Sequence, residues 1–379
     1  MTEENKTCLK RVVILSDGIR GHKHQSLGIA RWIERLCGAE VCEVEVPRLS
    51  GLKRFCRLKL AARRLPGASQ DEAWRWLRAA GFALETHSDI LSGGAETLFL
   101  STGSSAAPFC LALARALNGR AAAVMTPSVL GTRPFDFAIV PEHDHPASSD
   151  NLLTTLGAPN HIYRPELQAA AEALFAPVMP FPPKVIALLL GGGDANYELA
   201  PSWVRSVLPP LREAAEKQGA ALLVTTSRRT GAEADRAVKA ALEGSPAVRY
   251  LLLASRSTEN PIPAMLGAAT HLIVTEDSVS MVSEAATAGF RVGLLRVGRK
   301  QGPLVKLRKI LGGGTARFDA LFEAMSARGL VEDLGADPDF EAFLAPAERR
   351  TDTPFNEAKR AAEWILSRWA FLSNGMCAA

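Results

Sequence analysis

His271-Leu-Ile-Val-Thr-Glu-Asp-Ser-Val-Ser-Met-Val-Ser-Glu-Ala-Ala-Thr-Ala-Gly289 is the stretch on which the reading of the fold turns. The apolar start, His271 to Val274, reads as a short buried strand. Thr275 to Ser280 reads as the polar turn that leaves it, and a small-residue helix carrying Glu284 and closed by Gly289 follows. In an open α/β sheet, ligands gather outside the carboxyl ends of strands, where hydroxyls and helix N-terminal amides converge. If the helix starts near Ser278, then Ser280 and Met281 fall in its first turn and Glu284 one to two turns in. A carboxylate there can accept two ribose hydroxyls while the helix start meets a diphosphate, which is what a nucleotide-sugar donor needs. An ordinary βα turn capped by Asp277 or Ser278 fits the same residues. The rest of the chain has to choose.

At 379 residues the expectation is two domains, each with its own core. Hydrophobic residues make up 47% and charged residues 22%, an ordinary globular balance. No apolar run approaches the ~18 residues that span a bilayer. The first ten residues carry neither a signal-peptide core nor a transit pattern. The cysteines Cys8, Cys37, Cys42, Cys56, Cys110 and Cys377 lack metal-ligand spacing, which suggests reduced thiols, a cytoplasmic location and no metal site. A net charge of +4 is too small to imply nucleic acid. It is unevenly spread, however. Lys53, Arg54, Arg57, Lys59, Arg63 and Arg64 stand without an acid among them, interleaved with Leu52, Phe55, Leu58, Leu60 and Leu65. Two readings fit: a core-packed helix with a solvated basic face, or an amphipathic helix on the anionic inner face of a membrane. Nucleic acid is not expected, because no known binding signature accompanies the charges.

Strands and helices alternate in two blocks. In the first, strands are expected at 11–15, 41–46, 97–100, 121–125 and 137–140, with helices at 25–37, 71–80 and 107–117. Four prolines in Ala176 to Pro183 then form a stiff connector. The second block has strands at 184–190, 221–225, 249–253, 271–274 and 292–296. Such βα alternation implies parallel sheets. The expected fold is therefore α/β, with two Rossmann-type domains whose parallel sheets face each other across a cleft. Its parts are 1–175, the linker 176–183, 184–350, and a C-terminal helix within 351–379 that packs back on the first domain.

Three strand ends besides 275–280 carry suitable chemistry. Asp17-Gly18-Ile-Arg-Gly21-His22-Lys-His24-Gln25 leaves the first strand, and an imidazole there can take a proton from an acceptor hydroxyl. A histidine that merely bonds a turn carbonyl fits as well. His24, two residues on, would point away on a helix. Gly191-Gly192-Gly193 permits close approach of a phosphate, or simply makes a tight turn. Ser227-Arg228-Arg229-Thr230 offers hydroxyls and fork-shaped cations to a diphosphate, or is a solvated loop.

Taken together, these segments resemble the "elongated mitochondria" family of mitochondrial-fission proteins and its bacterial relatives. The matching stretches are Asp17-Gly18, Gly21-His22, Gln25 and Gly28, then Pro141 with His143-Asp144 and Asn151 to Ala158. They continue with Leu190-Gly191-Gly192, Thr225 to Thr230, Asn260-Pro261 and Val274 to Gly289. The resemblance implies a GT-B glycosyltransferase-like fold. A further likeness to lipid-linked-sugar transferases puts Gly21-His22 against the acceptor and Ser278 to Glu284 on a uridine nucleotide. Three expectations follow. First, the chain is a metal-independent glycosyltransferase without a cofactor, moving a sugar from a UDP-linked donor to a lipid or cell-envelope glycan. Second, His22 is the base and Asp17 orients its loop, with Gly18, Gly21, Gln25, Thr102, Gly103 and Ser104 on the acceptor side. Third, Gly191, Gly192, Gly193, Ser227, Arg228, Arg229, Thr230, Asp277, Ser278, Ser280, Met281 and Glu284 hold the donor. The alternatives are a non-catalytic membrane adaptor of the same shape, or a sugar-nucleotide epimerase drawing on Glu142, Asp144 and Glu276.

Overall fold

The central apolar runs that alternate with helices form strands buried on both faces, as a parallel sheet covered by helices requires. In a computed structural model, residues 9–47, 52–83, 94–257, 259–301, 315–345 and 355–375 are described. The chain divides into two compact units, Met1–His161 with Asn356–Ala379, and Ile162–Phe355.

Six parallel strands form the sheet of the first unit: β1 (Arg11–Ser16), β2 (Glu40–Glu45), β3 (Thr97–Thr102), β4 (Arg120–Val124), β5 (Phe137–Pro141) and β6 (Leu152–Thr155). Their order is β2-β1-β3-β4-β5-β6, so the winding reverses between β1 and β3. The crevice at such a reversal is where open sheets bind ligands. The first helix spans Arg20–Cys37 and so begins before the expected Gln25. Gly18, at φ 78°, turns the chain sharply, and Asp17 Oδ1 accepts the Ile19 N–H at 3.1 Å, so the helix can start at once. At Gly28 a Cβ would lie 2.2 Å from the Asn160 carbonyl oxygen, so only glycine allows this packing. Helix Glu357–Gly375 returns to this unit, where Ala358, Ala361, Ala362, Ile365 and Trp369 share a core with Ile29 and Ile33. Arg120 fixes it from β4, stacking 4.2 Å from the Trp369 ring centroid.

The basic segment is a helix over Leu52–Ala62. Leu58 and Ala62 face the core, and the Trp76 indole N–H donates to the Leu58 carbonyl at 3.1 Å. Lys59 turns inward as well: it is 3% exposed, and its Nζ donates to Ser128 Oγ at 2.9 Å. Burial lowers its pKa. It is therefore unavailable to a membrane surface, while the side chains of Lys53, Arg54 and Arg57 lie outside the described residues. Among the described residues no helix is long and apolar enough to cross a membrane.

The second unit opens with helix Arg164–Phe175, ahead of the proline-rich segment in which the boundary was expected. This helix packs on helix Ile262–Ala268, so closely that a Cβ on Gly267 would lie 2.0 Å from the Leu167 carbonyl oxygen. Packing, rather than the prolines, sets the division at residue 162. Among the described residues eight strands follow: β7 (Val185–Leu189), β8 (Tyr197–Glu198), β9 (Ala221–Thr225), β10 (Val248–Leu252), β11 (His271–Thr275), β12 (Val292–Leu295), β13 (Gly298–Arg299) and β14 (Val331–Asp333). Six of them form a parallel sheet ordered β10-β9-β7-β11-β12-β14, and β8 and β13 pair as a small antiparallel ribbon. Counted within the unit the order is 3-2-1-4-5-6, that of the dinucleotide-binding fold, with its reversal between β7 and β11. The helix after β11 runs Val279–Thr287. It ends at Gly289, φ 96°, where the Arg164 Nε–H donates to the Thr287 carbonyl at 2.8 Å.

Candidate functional site

Each sheet carries its polar loops at the carboxyl ends of the strands that flank its reversal. In the first unit these are the loops after β1 and β3. Asp17 leaves β1 with its side chain 4% exposed, and its Oδ2 lies 3.0 Å from His22 Nδ1. His22 is in the first turn of helix Arg20–Cys37, its side chain 24% exposed. Asp17 thus holds the imidazole itself, as well as the turn through the Ile19 amide. With Nδ1 engaged, Nε2 is the ring nitrogen left to act. Gly103, at φ 81°, ends β3 against the ring: a Cβ there would lie 2.5 Å from His22 Cε1. Thr102 Oγ1 pairs with Ser26 Oγ at 2.7 Å, tying β3 to the helix. Ser104 Oγ accepts the Ser128 N–H at 2.7 Å, and Ser128 in turn receives Lys59. Gln25 is buried one turn beyond His22. Gly21 has open space where a Cβ would stand. His24 turns aside, its ring centroid 4.5 Å from that of His161.

In the second unit the glycine triplet after β7 is committed to internal bonds. The Gly191 N–H donates to Thr275 Oγ1 at 2.7 Å, that of Gly192 to Asp277 Oδ2 at 2.6 Å, and that of Gly193 to the Arg229 carbonyl at 3.1 Å. These glycines serve contact: a Cβ at Gly191 would lie 2.0 Å from Asp277 Oδ2, and one at Gly192 would lie 2.2 Å from the Arg229 carbonyl carbon. Thr230 Oγ donates to the Gly191 carbonyl, and Ser227 Oγ accepts the Arg229 N–H at 3.1 Å. Arg229, expected on a diphosphate, is paired with Asp277 Oδ2 at 3.2 Å and lies 3.9 Å from Asp194 Oδ2. Arg228 is exposed and forms no ion pair among the described residues.

Open donors remain at the helix after β11. Val282 is the first amide to donate back along the helix, to Ser278, which leaves Val279, Ser280 and Met281 as the orphan amides of a helix start. Glu284 lies one turn beyond Ser280 and Met281 on the same face and is 4% exposed. Glu276 has a different task. Its side chain is 0% exposed, and its Oε2 receives Arg296 at 2.8 Å and Arg299 at 3.0 Å. Oε1 accepts the Val297 N–H at 3.0 Å, so Glu276 clamps the segment after β12. Asp277 is the buried acid that remains beside the loops, and burial raises its pKa. Asp194 caps the turn after the glycine triplet, its Oδ1 accepting the Asn196 and Tyr197 N–H at 2.7 Å. Thr275 lies in the polar turn read from the sequence, and its hydroxyl holds Gly191. Ser26 and Ser128 carry no role in the sequence reading; each ties neighbouring elements together. A serine hydroxyl within a helix or a loop gives no local sign of its partner. A hollow of about 760 Å³ between helices Pro201–Lys217 and Ala232–Leu242 carries none of these residues.

No curated relative matches the sequence. Among solved structures, the UDP-GlcNAc 2-epimerase of Methanocaldococcus jannaschii is 11% identical, with a TM-score of 0.55 over 96% of this chain and 99% of that one. The UDP-GlcNAc 2-epimerase of Neisseria meningitidis, bound to UDP-GlcNAc, is 13% identical, with a TM-score of 0.50 over 96% of this chain and 100% of that one. The glycosyltransferase SnogD of Streptomyces nogalater is 14% identical over 98% of this chain and 99% of that one, with a TM-score of 0.43. At such identities the likeness is one of fold: an α/β chain with two six-stranded parallel sheets, GT-B-like. The model of the family described as mitochondrial fission ELM1 matches residues 20–369, and the chain belongs to that family.

Proposed function

We propose that the chain is a metal-independent glycosyltransferase that moves a sugar from a UDP-linked donor to a hydroxyl of a lipid or cell-envelope glycan acceptor. The Asp17–His22 pair carries this reading. A buried carboxylate that accepts the Nδ1–H fixes the tautomer and leaves Nε2 basic toward an acceptor hydroxyl. The same carboxylate stabilises the imidazolium that forms when the proton arrives. In the second unit Glu284 receives the ribose, and the amides of Val279, Ser280 and Met281 with Arg228 receive the diphosphate. Fixed amide dipoles and a guanidinium stabilise the charge that develops on the leaving diphosphate. We place the protein in the cytoplasm, with any peripheral contact to the membrane made by Lys53, Arg54 and Arg57 and not by Lys59.

The shared fold with two UDP-GlcNAc 2-epimerases favours epimerisation as a second reading. That chemistry needs carboxylates able to move protons, and Glu276 is held by two arginines. A non-catalytic adaptor would have no use for an imidazole held on a buried carboxylate. Incubation with UDP-GlcNAc and UDP-glucose, with and without an envelope lipid extract, separates the three. Transfer predicts UDP release that depends on the extract and disappears in His22→Ala. Epimerisation predicts an isomerised sugar nucleotide without UDP release, and an adaptor predicts neither. Either of the last two outcomes refutes the transferase.

A further inference from the structure

Asp277 is an unusual residue to find beside open helix amides. Its side chain is 1% exposed. Oδ2 accepts the Gly192 N–H at 2.6 Å and the Arg229 guanidinium at 3.2 Å, whereas Oδ1 is buried and has no hydrogen-bond partner. The orphan amides of Val279, Ser280 and Met281 begin two residues further on. A diphosphate seated on those amides faces a buried carboxylate, and like charges in such a place are relieved when the carboxyl takes up a proton. A protonated Asp277 keeps the Gly192 bond on Oδ2, makes Oδ1 a donor, and no longer holds the guanidinium by charge.

We propose that binding of a nucleotide diphosphate to the second unit carries one proton from solvent into Asp277 and releases Arg229 to the diphosphate. This rests on the donor-site reading above. The charged groups facing Asp277 are Arg229 from the turn after β9 and Asp194 from the loop after β7. Its neighbour Glu276 is neutralised by Arg296 and Arg299. Burial already raises the Asp277 pKa; the Gly192 bond, the nearby Thr275 hydroxyl and Arg229 oppose that shift, and Asp194 adds to it. A bound diphosphate raises the pKa further. Proton uptake therefore occurs between the free and the liganded values, and across that window affinity grows by up to about tenfold for each pH unit lowered. Above the window Asp277 is ionised in both states and affinity is level; below it Asp277 is protonated in both, and uptake vanishes.

The test is isothermal titration of the full chain with UDP-GlcNAc, whose diphosphate diester does not itself titrate near neutrality. It is run in buffers of differing ionisation enthalpy across a pH series. The expected result is uptake of up to about one proton per nucleotide, absent from Asp277→Asn, whose affinity stays level across the same range. Asparagine can still accept the Gly192 N–H. Arg229→Gln, which leaves the carboxyl in place, should show the same uptake displaced to higher pH. UDP-GlcNAc binding without proton uptake, or equal uptake in Asp277→Asn, overturns the proposal and leaves the donor site standing. A wild-type chain that binds no UDP-GlcNAc at any pH overturns the donor-site reading, and this inference with it.

Discussion

The two strand-end sites face the same requirement, to keep polar groups usable at the edge of a buried sheet, and they meet it differently. After β1 the carboxylate is behind and the imidazole in front: Asp17 is nearly buried, and His22 is about a quarter exposed. The arrangement leaves Nε2 as the ring nitrogen that Asp17 does not hold. After β7 and β11 the charges neutralise each other, with Arg229 on Asp277 and the triplet amides consumed within the loops. What the second unit leaves uncommitted is the helix start at Val279 and the guanidinium of Arg228, which forms no ion pair among the described residues. On the proposed function, the first site exchanges a proton with the acceptor and the second holds the diphosphate.

The sharpest way to break this contrast is His22→Ala, which should lower sugar transfer by about 10²–10⁴-fold, whereas His24→Ala should change turnover little. Equal losses in steady-state turnover of the two variants would remove the distinction. Next in size, Gly192→Ala forces a methyl group to within 2.2 Å of the Arg229 backbone and should cost about 1–3 kcal/mol or more of stability in denaturant unfolding. A variant as stable as wild type would mean that the loop is not packed as described. Arg229→Ala leaves the buried Asp277 without its cation and should cost about 1–2 kcal/mol, discounted for the arginine's own exposure. Arg228→Ala should leave stability unchanged yet weaken UDP more than uridine in parallel titrations. If it weakened both equally, the phosphate role would be wrong. Smallest of all, Gly21→Ala should be tolerated or add up to about 1 kcal/mol, since it meets open space in a helix. A clear loss of stability there would mean that the loop depends on the glycine after all.

Much of this architecture could be read in the chain because burial on both sheet faces writes apolar runs such as 185–189 and 271–274 plainly. The paired elements β8 and β13 and the edge strand β14 could not, being two or three residues long and set by their partners. The domain boundary was misplaced because prolines are visible in a sequence, whereas the seating of Arg164–Phe175 on Gly267 is not. At the sites, residue types were legible and bonding partners were not. Gly191 to Gly193 look like a phosphate cradle until their amides are traced to Thr275, Asp277 and Arg229. Lys59 looks like a surface cation until its helix turns it inward onto Ser128. A pairing between loops tens of residues apart leaves no local pattern.

The division of labour is tested most directly by titrating UDP into wild type, His22→Ala and Glu284→Ala, each first shown to be folded. Glu284→Ala should lose about 1.5–3 kcal/mol of UDP affinity, while His22→Ala binds as wild type does. UDP affinity that falls in His22→Ala and survives in Glu284→Ala would contradict that division.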